Sequence, residues 1–146
     1  QTLLFLPLIF LLLFMSVSLF RFPKSSRLHL RKEINELFIS GRTIHAAPFK
    51  ALYKLLPLND ASLKMAVAVP KRNFKHATDR NRIKRQIREA FRINCPEIRA
   101  YFESRGITVH ILLVCNCKVL PDYADLTSKI ILILQRLKQS HEVGTV

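Results

Sequence analysis

The amino-acid order predicts a mixed α/β domain, a β-sheet with helices packed against it. Three observations carry this. Residues 80–94 place Ile83, Ile87, Ala90 and Phe91 on one helical face. Residues 108–115, TVHILLVC, form a nearly unbroken apolar run of strand length, as in a buried strand. The periodicities also alternate along the chain: helix, two or three strands, basic helix, strand, helix.

Each element has its own signal. Leu30, Ile34, Leu37 and Phe38 recur at helical spacing, and Ser40-Gly41 supplies a stop at which glycine would take a left-handed conformation. Residues 49–56, FKALYKLL, lie between Pro48 and Pro57 and predict a strand. Asn59 to Ser62 reads as a turn, and residues 63–69, LKMAVAV, as the next strand, closed by Pro70. Thr78 or Asp79 is placed to cap the basic helix. Pro96 interrupts that helix, and residues 98–102 suggest a further turn. Pro121-Asp122 opens a last helix with Tyr123, Leu126, Ile130, Leu134 and Leu137 as its apolar stripe.

The chain has 146 residues, 49% of them hydrophobic, enough for one domain with its own core. Its 24 Lys and Arg against 10 Asp and Glu give a net charge of +14, which points to a polyanionic partner rather than a small metabolite. Three glycines argue against a glycine-rich nucleotide loop. Cys95, Cys115 and Cys117 fit neither a disulfide framework nor a four-ligand zinc site, and read as buried reduced thiols of a reducing cytoplasm.

Residues 1–20 are uncharged and long enough to span a bilayer, but lack the basic start of a signal peptide. The expectation is a non-native upstream extension, with a start at Met15; the rival is a membrane anchor carrying a basic domain. Residues 21–140 then form one domain and 141–146 a flexible tail.

The chemistry concentrates in residues 71–92, KRNFKHATDRNRIKRQIREAFR. This stretch holds nine of the basic residues and two acids, net +7 in 22 residues. Acids that would form i,i+4 pairs are nearly absent, so the like charges repel. A polyanion relieves such repulsion, and the planar arginine fork suits phosphate. No catalytic constellation emerges. His29, His45, His76, His110 and His141 are scattered, with His110 inside an apolar strand and His76 placed for phosphate contact. Asp79 and Glu89 form no paired-carboxylate site, and Glu89 suits a salt bridge to Arg85 or Arg92.

The run Arg80-Asn81-Arg82-Ile83-Lys84-Arg85-Gln86-Ile87-Arg88-Glu89-Ala90-Phe91-Arg92 closely resembles the signature helix of the bacterial ribonuclease P protein component, RNRxKRxxRE followed by an aromatic. The surrounding order agrees: Arg27-Leu28, a helix ending at Phe38 and Gly41, a strand near Phe49 to Tyr53, then Val67-Ala68-Val69-Pro70-Lys71-Arg72. The resemblance covers about residues 20–139. It departs before the helix, where Lys75-His76-Ala77-Thr78 replaces the family's usual Gly-Asn-Ala-Val.

The resemblance implies a two-layer α/β sandwich with about four strands, three main helices and a left-handed βαβ crossover. It implies a subunit of a ribonucleoprotein endonuclease. The catalytic RNA, with Mg2+ held mainly by that RNA, removes the 5′ leader of precursor tRNA. The protein binds both RNAs in the cytoplasm and contributes no catalytic or metal-ligating residue. Arg80, Asn81, Arg82, Lys84, Arg85, Arg88 and Arg92, with Lys71, Arg72 and Lys75, would meet RNA. Phe38, Phe49 and Tyr53 would line the leader cleft between helix and sheet, where aromatic faces stack on bases. The other reading of each aromatic is core packing. A generic basic RNA-binding protein is the alternative class, and a membrane-anchored basic protein a further one.

Overall fold

The computed structural model describes residues 26–57 and 63–144. The segment 1–20, the Met15 start and the turn at 59–62 lie outside the described residues. Helix α1 (Arg31–Ser40) is followed by strands β1 (Arg42–Ala46), β2 (Phe49–Pro57) and β3 (Leu63–Ala68). Helices α2 (Ala77–Asn94) and α3 (Pro96–Ser104), strand β4 (Ile107–Cys115) and helix α4 (Tyr123–Gly144) complete the order.

The sheet runs β1-β2-β4-β3, so the last strand in sequence lies inside it. Strand β2 pairs antiparallel with β1 and β4, while β3 runs parallel to β4. A parallel pair needs a crossover, and α2 with α3 supplies it. The sheet is therefore mixed, as expected.

Side chains alternate across a strand, so the sheet has two distinct faces. One carries Phe49, Ala51 and Tyr53 of β2 and Val109, Ile111, Leu113 and Cys115 of β4. They meet Ile83, Ile87, Ala90 and Phe91 of α2 and Leu126, Ile130, Ile133, Leu134 and Leu137 of α4. The other face buries Leu52 and Leu112 against Leu28 and Leu37, the last from α1. Burying each such side chain stabilises the fold by about 1.5–3 kcal/mol.

Several expectations need correction. Strand β1 has only five residues, with alternating burial, too short for its pattern to stand out. Four helices are present among the described residues: Pro96 ends α2 and occupies the first turn of α3, where its missing N–H costs nothing. The cap of α2 is neither Thr78 nor Asp79. The N-cap is His76, without a side-chain cap bond, and Asp79 sits in the first turn, where it complements the helix dipole. Residues 141–144 are not a tail: they complete α4, and His141 Nδ1 lies 2.9 Å from the Tyr101 hydroxyl. Tyr123, expected on the apolar stripe of α4, is exposed.

Gly41 stops α1 for a different reason from the one expected. Its φ of −72° and ψ of 149° are extended, not left-handed. A Cβ there would lie 2.2 Å from the Leu37 carbonyl oxygen, which accepts the Gly41 N–H at 3.0 Å. Gly41→Ala should therefore displace the end of α1 and cost about 1–3 kcal/mol, read as a lower urea midpoint with an unchanged slope.

Candidate nucleic-acid interface

Helix α2 divides its side chains cleanly. Ile83, Ile87, Ala90 and Phe91 are buried, while Asn81, Arg82, Arg85 and Arg88 are exposed and Lys84 half-buried. The apolar face holds the helix in the core and thereby holds the cationic side chains in place. Lys71 and Arg72 are exposed in the turn after Pro70, and Lys75 and His76 are exposed at the entry to α2.

Two of the arginines are committed within the protein. Arg80 Nη1 donates to the carbonyls of Phe74 at 2.7 Å and Lys75 at 2.9 Å, which ties the entry loop to the helix. Arg92 makes a two-point contact with Glu89, Nη2 to Oε1 at 2.6 Å and Nε to Oε2 at 3.2 Å. This settles the Glu89 partner as Arg92. The hydrogen bonds from Arg92 hold the Glu89 carboxyl below its ordinary value. On α2 this leaves Arg82, Arg85 and Arg88, with Asn81 and Lys84, outside these internal contacts.

Arg88 gains a neighbour that the sequence did not suggest. Residue 27 bridges Met65, and the Leu28 N–H donates to the Met65 carbonyl at 2.9 Å, so this segment lies along β3. Burial, then the like charge of Arg27, push the Arg88 guanidinium below its ordinary value. Two repelling arginines from distant parts of the chain are thus brought together, and an anion would relieve them.

The three aromatics assigned to the cleft do not meet. Phe38 on α1 is 63% exposed, whereas Phe49 and Tyr53 are 3% and 4% exposed and pack in the core on the other face. The strand period separates them: residues 49, 51 and 53 point away from α1, and 50, 52 and 54 toward it. The α1 face instead carries Lys50 and Lys54. Lys54 stands opposite His110, which stands opposite Lys64, forming a row across β2, β4 and β3. Lys50 stands opposite His45 of β1. These cations sat in plain view at 50 and 54, but only the strand phase identifies their face. Glu36 of α1 lies 3.8 Å from Lys54 Nζ.

His110 is 7% exposed within this row. Burial pushes its imidazole below the ordinary value, and nearby Glu33 partly restores it. The thiols are buried, as expected: Cys115 and Cys117 bring their sulfurs within 2.9 Å, although Cys117 lies beyond the end of β4. Burial, then the Cys115 thiol, push Cys117 up to about 12. Among the described residues no three His, Cys, Asp or Glu side chains gather as a metal-holding group. No helix there is long and apolar enough to cross a membrane.

Two outcomes are expected. Arg80→Ala should cost about 1–2 kcal/mol through its two carbonyl contacts, while Arg82→Ala stays within about 0.5 kcal/mol, both read by thermal unfolding. His110, its folded-state value lowered, binds its proton more readily in the unfolded chain. Stability should therefore fall as pH drops below about 6.5, the ordinary histidine value. Urea midpoints at about pH 7.5 and about pH 5.5 should show this fall, and His110→Leu should lessen it.

The profile of the family described as Ribonuclease P matches residues 22–138. The ribonuclease P protein component of Porphyromonas gingivalis is 36% identical over 109 residues, covering 74% of this chain and 80% of that one. Its counterpart from Chlorobium phaeobacteroides is 31% identical over 124 residues, covering 76% and 85%. The structure of the Staphylococcus aureus RNase P protein superposes with a TM-score of 0.60 at 18% identity, covering 79% of this chain and 97% of that one. The Thermotoga maritima RNase P protein does so at 0.59 and 22%, covering 75% and 96%. Those two solved structures share the fold, and the profile match together with the sequence relatives shows that this chain belongs to the ribonuclease P protein component family.

Proposed function

We propose that this chain binds the catalytic RNA of ribonuclease P and the 5′ leader of precursor tRNA, and assists Mg2+-dependent endonucleolytic removal of that leader. One observation carries the reading: Arg82, Arg85 and Arg88 stand exposed on a helix whose other face is fixed in the core. Pre-positioned guanidinium groups make bidentate contacts to phosphate with little further ordering. Contacts of this kind position an RNA without reading its sequence, as a protein that accepts many precursor tRNAs requires.

The leader would pass over the α1 face of the sheet. Phe38 offers an exposed ring for base stacking there, and Lys50, Lys54 and Lys64 offer charge. Phe49 and Tyr53 support that sheet from behind. In this reading the protein binds, orients and neutralises phosphate, and the Mg2+ ion is held mainly by the RNA. The cytoplasm, where precursor tRNA is made, is the compartment this reading requires.

The test is reconstitution with a bacterial ribonuclease P RNA and a precursor tRNA, at Mg2+ low enough that the RNA alone is nearly inactive. The protein should restore cleavage at the mature 5′ end. Arg82→Ala with Arg85→Ala should weaken RNA binding by at least about tenfold and flatten the log–log salt dependence by about one unit per lost phosphate contact. Salt-dependent RNA binding without restored cleavage would favour a generic RNA-binding protein instead.

A further inference from the structure

Two cavities meet at the start of β1, the edge strand at the opposite end of the sheet from β3. The smaller, about 170 Å³, is bordered by Ser40, Arg42, Tyr53 and Lys54. The larger, about 540 Å³, lies between β1 and α4 and is bordered by Arg42, Thr43, Arg136, Gln139 and Ser140. Arg42 and Tyr53 border both. Lys54, which belongs to the α1 face, borders the smaller cavity with Arg42, and Arg42 borders the larger one with Arg136 of α4, so the two adjoining cavities lead from that face past the start of β1 to the C-terminal half of α4.

The chemistry of the track is specific. Among the described residues no carboxylate borders either cavity, and the Glu36 carboxylate meets the track only at Lys54. Arg42 and Arg136 are exposed, and neither has an ion-pair partner among the described residues. Arg136 is nonetheless held in place, because its Nη1 donates to the backbone carbonyl of His45 in β1. Its remaining N–H groups make no other hydrogen bond among the described residues. Thr43, Gln139 and Ser140 add hydroxyl and amide groups suited to sugar hydroxyls and phosphate oxygens. Tyr53 closes the floor at 4% exposure, so it shapes the groove and offers no ring face for stacking. An arginine engaged on edge-strand backbone also disfavours a peptide that would add a strand to β1.

We infer that this groove is a second segment of the single-stranded RNA path, taking the sugar-phosphate backbone of leader nucleotides beyond those on the α1 face. The inference rests on the proposed leader-binding function. It assigns Arg42 and Arg136 to leader length, not to the RNA subunit.

The experiment measures the affinity of the reconstituted holoenzyme for precursor tRNAs whose leaders run from about 4 to about 16 nucleotides. The variants are Arg42→Met alone and Arg42→Met with Arg136→Met. Arg105→Met removes one charge outside both cavities as a control. Wild type should gain affinity as the leader lengthens. The double variant should match wild type on the shortest leaders and bind the longest about threefold to tenfold more weakly. The control should follow wild type throughout. If Arg136→Met unfolds the chain, Arg42→Met, which removes no side-chain hydrogen bond among the described residues, should show a smaller loss of the same form. A variant that tracks wild type at every length overturns the inference, as does one weakened equally at all lengths. A wild-type affinity indifferent to the leader overturns the leader-binding function itself, which is a separate result.

Discussion

Burial of one face of α2 is the constraint on which the rest depends. Ile83, Ile87, Ala90 and Phe91 join a single core with the sheet and α4. Their burial must offset the mutual repulsion of the arginines on the other face. That repulsion is tolerable because the charged groups remain in water, where the effective dielectric is high. It also makes the surface selective, since a polyanion releases the strain that folding imposes. Arg80 and Arg92 are exceptions, drawn back to the entry-loop carbonyls and to Glu89. The sites with the strongest internal partners are therefore structural, and those without carboxylates face the solvent.

The sheet applies a second constraint. With β2 and β4 paired in its centre, it has a helix layer on each side and two separate clusters of buried apolar side chains. A two-residue period sorts every strand residue to one side or the other. Phe49 and Tyr53 are thereby assigned to the core, and Lys50 and Lys54 to the α1 face. The same geometry explains the position of His110. It points into the α1 side among Lys54, Lys64, Glu33 and Glu36, where burial disfavours its charged form.

Much of the fold was legible because apolar periodicity is local information. The helix at 80–94 and the strand at 108–115 are visible in the chain and present in the structure, each slightly extended. The cationic, solvent-facing side of α2 was legible for the same reason. Strand β1 was not, since five residues with polar outward positions carry too little pattern. Nor was the role of Gly41, whose constraint is the Leu37 carbonyl and not its own φ. For Phe49 and Tyr53 the resemblance implied the cleft and core packing was the other reading; the phase of β2 selects the core.

By itself the sequence determined most of the elements, the excess of cationic charge on one helix and, through the register of that helix, the resemblance to the family. These follow from spacings within about twenty residues, where side chains on one face are set by helix or strand geometry alone. Tertiary structure decided which cations remain free. It brought Arg27 to Arg88, separated Phe38 from Tyr53, and joined Arg42 to Arg136 across β1 and α4. The reason is physical: pairing, desolvation and convergence depend on distance in space. Chain separations such as the one between β1 and α4 acquire a distance only once the core has closed.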